Sequence, residues 1–247
     1  MKKFIPLKAS DLFECKKHDN GVFQNSKKKE NRIEQCKFPF DIAFDPIPQK
    51  EKKIFHGSGI YMIEFNDKII YIGKFRPFNK GNIISTRWRA HLETITNRGI
   101  HVGGFEKDHR NGKKREILAN MIGVEKDLKQ LLKGRKRDTG TVTSVKRLEF
   151  AKKNWKEFKK EVPLEKFNFH YYQLNHFSSF KEKSSEKELY GDLVSLIEEF
   201  LLIKYSPDCN SGINGKFQMK DMIAANVVKK VENDIKGFIR FIEKKIK

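Results

Sequence analysis

The chain has 247 residues, 38% of them hydrophobic and 12% aromatic, including 21 Phe; that is enough apolar material for a buried core and excludes a disordered chain. No run approaches the roughly 20 apolar residues of a membrane-spanning helix, and Met1 to Pro6 is basic without the apolar stretch of a secretory signal, so a cytoplasmic protein with no membrane partner is expected. Lys and Arg number 52 against 32 Asp and Glu, a formal charge of +20, and such an excess attracts polyanions, either nucleic acid or an anionic membrane surface. Cys15, Cys36 and Cys209 are too few and too scattered for a disulfide framework or a cysteine-rich zinc site.

Residues 1–55 mix basic runs (Lys27, Lys28, Lys29) with proline-containing segments around Pro39, Pro46 and Pro48. They predict an arm with limited regular structure that contacts DNA or a second copy of the chain. A hairpin follows: strand formers fill 58–65 and 68–73, and Asn66-Asp67 between them tolerates the positive φ of a tight turn. Beyond a polar loop with Pro77 and Gly81, Ile84, Trp88, Leu92 and Ile95 recur at helical spacing, which places Arg87 and His91 one turn apart on an amphipathic helix.

Residues 99–165 form a charged middle region. Its periodicity predicts helices over Glu116–Leu132 and Val145–Phe158, with the basic loop Lys133, Arg135, Lys136 and Arg137 between them. Phe167, Phe169 and Tyr171 alternate with polar residues as a third strand. A helix starts at the Ser184-Ser185 cap and runs to Tyr205, since Pro207 cannot continue it. A last amphipathic helix, or a pair interrupted at Gly237, covers about 219–246. The expected fold is α+β: a small sheet of hairpin plus third strand, flanked by helices, in a core over 56–215 that carries the helical insertion 99–165, with a C-terminal helix over 216–247.

Two short motifs lie on the hairpin, Gly59-Ile60-Tyr61 and Tyr71-Ile72-Gly73, with nine residues (62 to 70) between them. Phenols from neighbouring strands can meet at one edge of a sheet to orient or deprotonate a water, and the glycines would let a phosphate backbone approach. Arg87 and His91 follow on the next helix. Glu198 has apolar residues at +3 and +4, Pro207 at +9 and Asn210 at +12, whereas Glu199 misses the proline and asparagine by one.

Together these residues resemble the GIY-YIG nuclease superfamily over 58–92 and about 167–212. The resemblance implies an endonuclease that hydrolyses DNA phosphodiesters. In it Arg87 would hold the scissile phosphate, and a water would be activated by Tyr61 with Tyr71 or His91 assisting. Glu198 would bind the metal, and Asn210 would act at the site or as a structural cap. One carboxylate with waters suits Mg²⁺, for which Mn²⁺ would substitute. Lys74, directly after the second motif, would lower a neighbouring tyrosine's pKa or contact phosphate, and His101 could line the site. Arg89 and the basic loop Lys133, Arg135, Lys136 and Arg137 would contact DNA. The insertion and arm, without a separate DNA-binding domain on a long linker, point most toward a type II restriction enzyme. Such an enzyme would cut double-stranded DNA as a homodimer beside a companion methyltransferase. The alternatives are a structure-specific repair, recombination or homing nuclease, a non-catalytic DNA-binding protein on the same fold, and a basic membrane-surface protein.

Overall fold

The computed structural model describes residues 4–17, 42–48, 55–76, 82–98, 142–174, 184–210 and 222–246. The helix expected over 116–132, the basic loop with Lys133, Arg135, Lys136 and Arg137, and His101 lie outside the described residues. The chain divides into two compact units, one of Met1–Leu12, Pro48–Arg87 and Leu164–Lys247, the other of Phe13–Ile47 and Trp88–Pro163. No helix among the described residues is long and apolar enough to cross a membrane.

The first unit is built on the expected hairpin. β4 (Gly59–Phe65) and β5 (Lys68–Phe75) turn at Asn66 and Asp67, whose φ angles are 48° and 58°; short polar side chains tolerate this left-handed conformation, which a two-residue hairpin turn requires. β6 (Phe167–Gln173) pairs antiparallel with the other side of β4, and β1 (Ile5–Lys8) pairs with β6. The four-stranded sheet has the order β1-β6-β4-β5, which leaves β1 and β5 at its edges.

The start of the chain therefore departs from the loose arm expected over residues 1–55. β1 is only four residues long and contains Pro6. A proline has no N–H for a ladder and is accepted only where a strand faces away from a neighbour, as an edge strand does. Its strand character comes from pairing with β6, far away in sequence. A four-residue helix, α1 (Ala9–Leu12), then ends this unit's first segment.

One face of the sheet is covered by two long helices, α5 (Ser184–Tyr205) and α6 (Ala224–Ile246). Ile60, Met62 and Ile72 from the strands pack with Val194, Ile197 and Leu201 of α5 and with Val227, Val231 and Ile235 of α6. These helix positions recur every three or four residues, so each helix turns a continuous apolar stripe to the sheet. Gly237 does not interrupt α6: a Cβ there would meet nothing, and the helix runs through it. The two helices are joined by Asp234, which accepts from Tyr205 Oη at 2.5 Å and pairs with Lys204 Nζ at 2.7 Å. Burial and the Asp234 carboxylate push the Tyr205 phenol far above its ordinary range, so it remains the donor.

The second unit contains β2 (Phe13–Lys17) paired antiparallel with β3 (Ile42–Pro46), together with α2 (Arg89–Thr96), α3 (Val142–Lys153) and the short α4 (Trp155–Phe158). Arg147 of α3 donates to Thr94 Oγ1 of α2 at 2.9 Å, and the buried Arg98 guanidinium donates to the Phe158 carbonyl. The part of the insertion described here thus falls in one compact unit with residues from the supposed arm. Sequence separation hid that partnership.

Glu64 lies in β4, all seven of whose residues are buried. It is accommodated because His170 Nε2 lies 2.6 Å from one carboxylate oxygen and Asn168 Nδ2 donates to the other at 2.9 Å. Burial alone would raise its pKa, but the His170 and Asn168 hydrogen bonds outweigh it and hold the carboxyl below its ordinary range. A depressed native pKa contributes stability that is present above the unfolded value and lost as pH falls through the native one. Glu64→Gln is therefore expected to cost about 1–3 kcal/mol in urea unfolding near neutral pH. That gap should close as pH falls below about 4.3 and through the lower native value. A gap that stays constant down to the acid transition would contradict the pairing.

Candidate functional site

Residues paired across antiparallel strands point to the same face, and successive residues along a strand point to opposite faces. Tyr61 is paired with Gly73 and Ile63 with Tyr71, so Tyr61, Tyr71 and Gly73 share one face of the β4–β5 ribbon. The tyrosine rings meet diagonally, with centroids 6.0 Å apart and planes 29° from parallel. Gly73 makes the arrangement possible, because a Cβ there would lie 2.7 Å from Tyr61 Cζ and Oη and from Tyr71 Cε1. Its space is filled by phenol rings, which corrects the expectation that this glycine admits a phosphate backbone. Gly59 has a similar reason: its Cβ would fall 2.3 Å from the Tyr172 carbonyl oxygen. Tyr61 is only 2% exposed, while Tyr71 is partly exposed.

Lys74 is on the opposite face, the one on which α5 packs. Its ammonium lies 2.8 Å from Glu198 Oε2, and its backbone N–H donates to Glu198 Oε1 at 3.1 Å. The partner of Lys74 is thus the carboxylate and not the tyrosine suggested by the sequence. Glu198 reaches past the sheet face to the outward-pointing N–H of the edge strand, in the place where a further strand would supply a carbonyl.

Asn210 does the same two residues earlier on β5. Its Oδ1 accepts from the Ile72 N–H at 2.9 Å, and its Nδ2 donates to the Ile72 carbonyl at 2.8 Å. The Cys209 N–H donates to the Ile70 carbonyl at 2.9 Å. Local geometry after α5 delivers these groups. Ser206 takes a left-handed φ of 42°, Pro207 bars another helical turn, and the Asn210 N–H closes back on the Pro207 carbonyl at 3.1 Å. Asn210 is thus a buried clamp on β5.

Arg87 is exposed at the end of a π-helical stretch, Ile84–Trp88, in the same compact unit as the tyrosines and Glu198. Asn82 starts that stretch: its Oδ1 accepts from the Ser85 N–H at 2.9 Å, an N-cap that the sequence reading passed over. His91 and Arg89 belong to the second unit. His91 is buried on α2, and Arg89 is ion-paired with Glu93 at 3.1 Å. Sequence reasoning also missed Arg76, whose guanidinium donates to Ser195 Oγ at 3.2 Å, three residues before Glu198 on α5. A basic residue two positions after Lys74, just past the end of the strand, was the available signal.

The Glu198 side chain is 18% exposed, and among the described residues no group of three or more His, Cys, Asp or Glu side chains converges. This donor set suits a hydrated hard cation such as Mg²⁺, which is held by one or two carboxylates and keeps several waters. Coordination through Oε2 would require the Lys74 ammonium to move aside.

Removing the clamp leaves two buried peptide groups unsatisfied, each worth about 1–3 kcal/mol. Asn210→Ala is therefore expected to lose at least about 2 kcal/mol in denaturant unfolding and to speed hydrogen exchange at the Ile72 amide. Unchanged stability and exchange would mean that β5 does not depend on Asn210. Comparison of the chain with family models, with curated proteins and with solved structures finds no significant match.

Proposed function

We propose that the chain is a metal-dependent endonuclease of the GIY-YIG type that cuts double-stranded DNA at a specific sequence. One observation carries the proposal. The tyrosines of the two motifs pack around Gly73, and the next residue of that strand, Lys74, binds Glu198 from 124 positions away in the chain. Packing alone does not require a carboxylate, a lysine and two phenols around adjacent residues of one edge strand. Hydrolysis of a phosphodiester uses all three kinds of group.

Glu198 would hold a Mg²⁺ ion, which when bound supplies Lewis-acid stabilisation of charge on the phosphate oxygens. The chain's own residues do the rest. A proton acceptor must come within hydrogen-bond reach of the attacking water, and Tyr71 is the more exposed of the paired phenols. As the phenolate, Tyr71 would accept that proton and become the neutral phenol, with Tyr61 packed beside it to fix its ring. Released from Glu198, the Lys74 ammonium is free to contact a phosphate oxygen at the same edge. Arg87 presents a permanently charged fork from the following helix to neutralise charge growing on the phosphate. The net charge of +20 supplies the long-range attraction to DNA. One such site cuts one strand, so cleavage of both strands of a symmetric sequence calls for a homodimer, and a companion methyltransferase would protect the same sequence in the host.

The test is digestion of unmodified plasmid and phage DNA by the full chain with Mg²⁺ or Mn²⁺. Discrete fragments that vanish in EDTA are expected, with Glu198→Gln and Arg87→Ala each slower by about 10²–10³-fold and Tyr71→Phe by about 10²–10⁴-fold. Cutting confined to forks or flaps would shift the reading to a structure-specific nuclease. Wild-type protein that binds duplex and cuts no DNA would leave a binding protein on this fold.

A further inference from the structure

The outer side of α6 carries a charge pattern that the core does not require. Its apolar side, with Val227, Val231, Ile235 and Ile239, is buried in the core. Among its described side chains, four of the exposed ones, Lys229, Lys230, Arg240 and Lys244, are cationic and none is acidic. Two carboxylates of the helix are partly buried and engaged elsewhere. Glu232 accepts from the Phe4 N–H at 3.3 Å and pairs with Lys236, and Asp234 is held by Lys204 and Tyr205.

Lys229, Asn233, Gly237, Arg240 and Lys244 are all exposed. Each follows the last by three or four residues, the spacing of a single line along a helix. By the same spacing Glu243 falls outside the line. At about 1.5 Å per residue the line is about 22 Å long, with Lys229 and Arg240 about 16 Å apart. Their long side chains can thus reach phosphates on both walls of a major groove about 12 Å wide. Gly237 lies between them. Glycine weakens a helix interior relative to alanine, and a Cβ here would meet nothing within 4 Å. Packing within the chain therefore does not account for the missing side chain. A bare backbone at this point lets a ligand's own backbone come close.

We propose that this line on α6 is a docking surface for the sugar-phosphate backbone of duplex DNA. Lys229, Arg240 and Lys244 contact phosphates, and Gly237 is the point of closest approach. The inference rests on the nuclease reading for its partner and adds to it a surface apart from the tyrosine pair and Glu198. Charge complementarity selects a polyanion. An anionic membrane is the poorer match, because a helix lying in a bilayer surface inserts its apolar side, and that side of α6 is already used in the core.

The experiment is equilibrium binding of a fluorescent DNA duplex to the full chain in EDTA over a series of KCl concentrations, with plasmid cleavage in Mg²⁺ followed alongside. The triple variant Lys229→Gln, Arg240→Gln, Lys244→Gln should lower the slope of log affinity against log salt by about 2.7, about 0.9 for each lost phosphate contact. The same loss corresponds to binding weaker by about 10²-fold near 0.2 M salt. Glutamine at Lys152, Lys153 and Lys156, which are exposed in the second unit, removes equal charge and should change the slope by less than about 0.9. Gly237→Ala should melt at a higher temperature than wild type and still bind DNA more weakly. A slope unchanged in the first triple variant, or an equal fall in the second, would overturn the surface and leave the nuclease reading standing. Wild-type protein that binds through this line and cuts no DNA would do the reverse. Gly237→Ala that binds as tightly as wild type would overturn the close approach. Binding to phosphatidylserine vesicles and not to duplex, lost in the first triple variant, would replace DNA with a membrane as the partner.

Discussion

The edge of β5 is the constraint on which the first unit depends. An edge strand exposes a row of unpaired N–H and C=O groups that invites association with other chains. Here that row is satisfied internally: the Ile70 carbonyl by Cys209, both peptide groups of Ile72 by Asn210, and the Lys74 N–H by Glu198. Residues more than a hundred positions downstream thus complete the hairpin, as a fifth strand would. Because hydrogen bonds to a strand have a fixed repeat, the clamp also sets the register of α5 against β5. The carboxylate of Glu198 therefore arrives at one particular residue of the edge and no other.

This arrangement has a chemical consequence. The tyrosine pair lies on one face of the ribbon, and α5 packs on the other. The two sets of groups come together only around the rim of β5, at the Gly73–Lys74 step. Under the proposed reading, a phosphodiester backbone would lie across this edge to reach both sets. Gly73 occupies the centre of this step, with no side chain because two phenol rings use the space. Lys74, next in sequence, pairs its ammonium with the Glu198 carboxylate.

The buried polar groups elsewhere in this unit have a comparable logic on a smaller scale. Glu64 in a fully buried strand is held by His170 and Asn168 of the neighbouring strand, and Asp234 between α5 and α6 is held by Tyr205 and Lys204. In each case both carboxylate oxygens receive donors, which offsets the desolvation of the buried Glu64 and the partly buried Asp234. These networks define which strand lies beside β4 and which turn of α6 lies beside α5, choices that interchangeable aliphatic contacts would leave less sharply determined.

Local periodicity and turn chemistry were enough to determine the hairpin, the Asn66-Asp67 turn, the helix over Arg89–Thr96, the strand at 167–173 and the two long helices, since each depends on neighbours a few residues away; Arg87, expected on the same helix as His91, lies instead in the π-helical stretch Ile84–Trp88. The spacing of Glu198, Pro207 and Asn210 was also legible, because it reflects one helix and the turn that ends it. The tertiary structure alone decided the rest. It made a sheet strand of the proline-containing start of the chain, grouped residues 13–47 with the helices after 141, paired Lys74 with Glu198 in place of a tyrosine, gave Asn210 its clamp and aligned Arg76 with Ser195. These outcomes depend on hydrogen bonds and ion pairs between residues far apart in the chain. Such contacts leave no periodic trace in the sequence, and only the folded backbone brings the partners within reach.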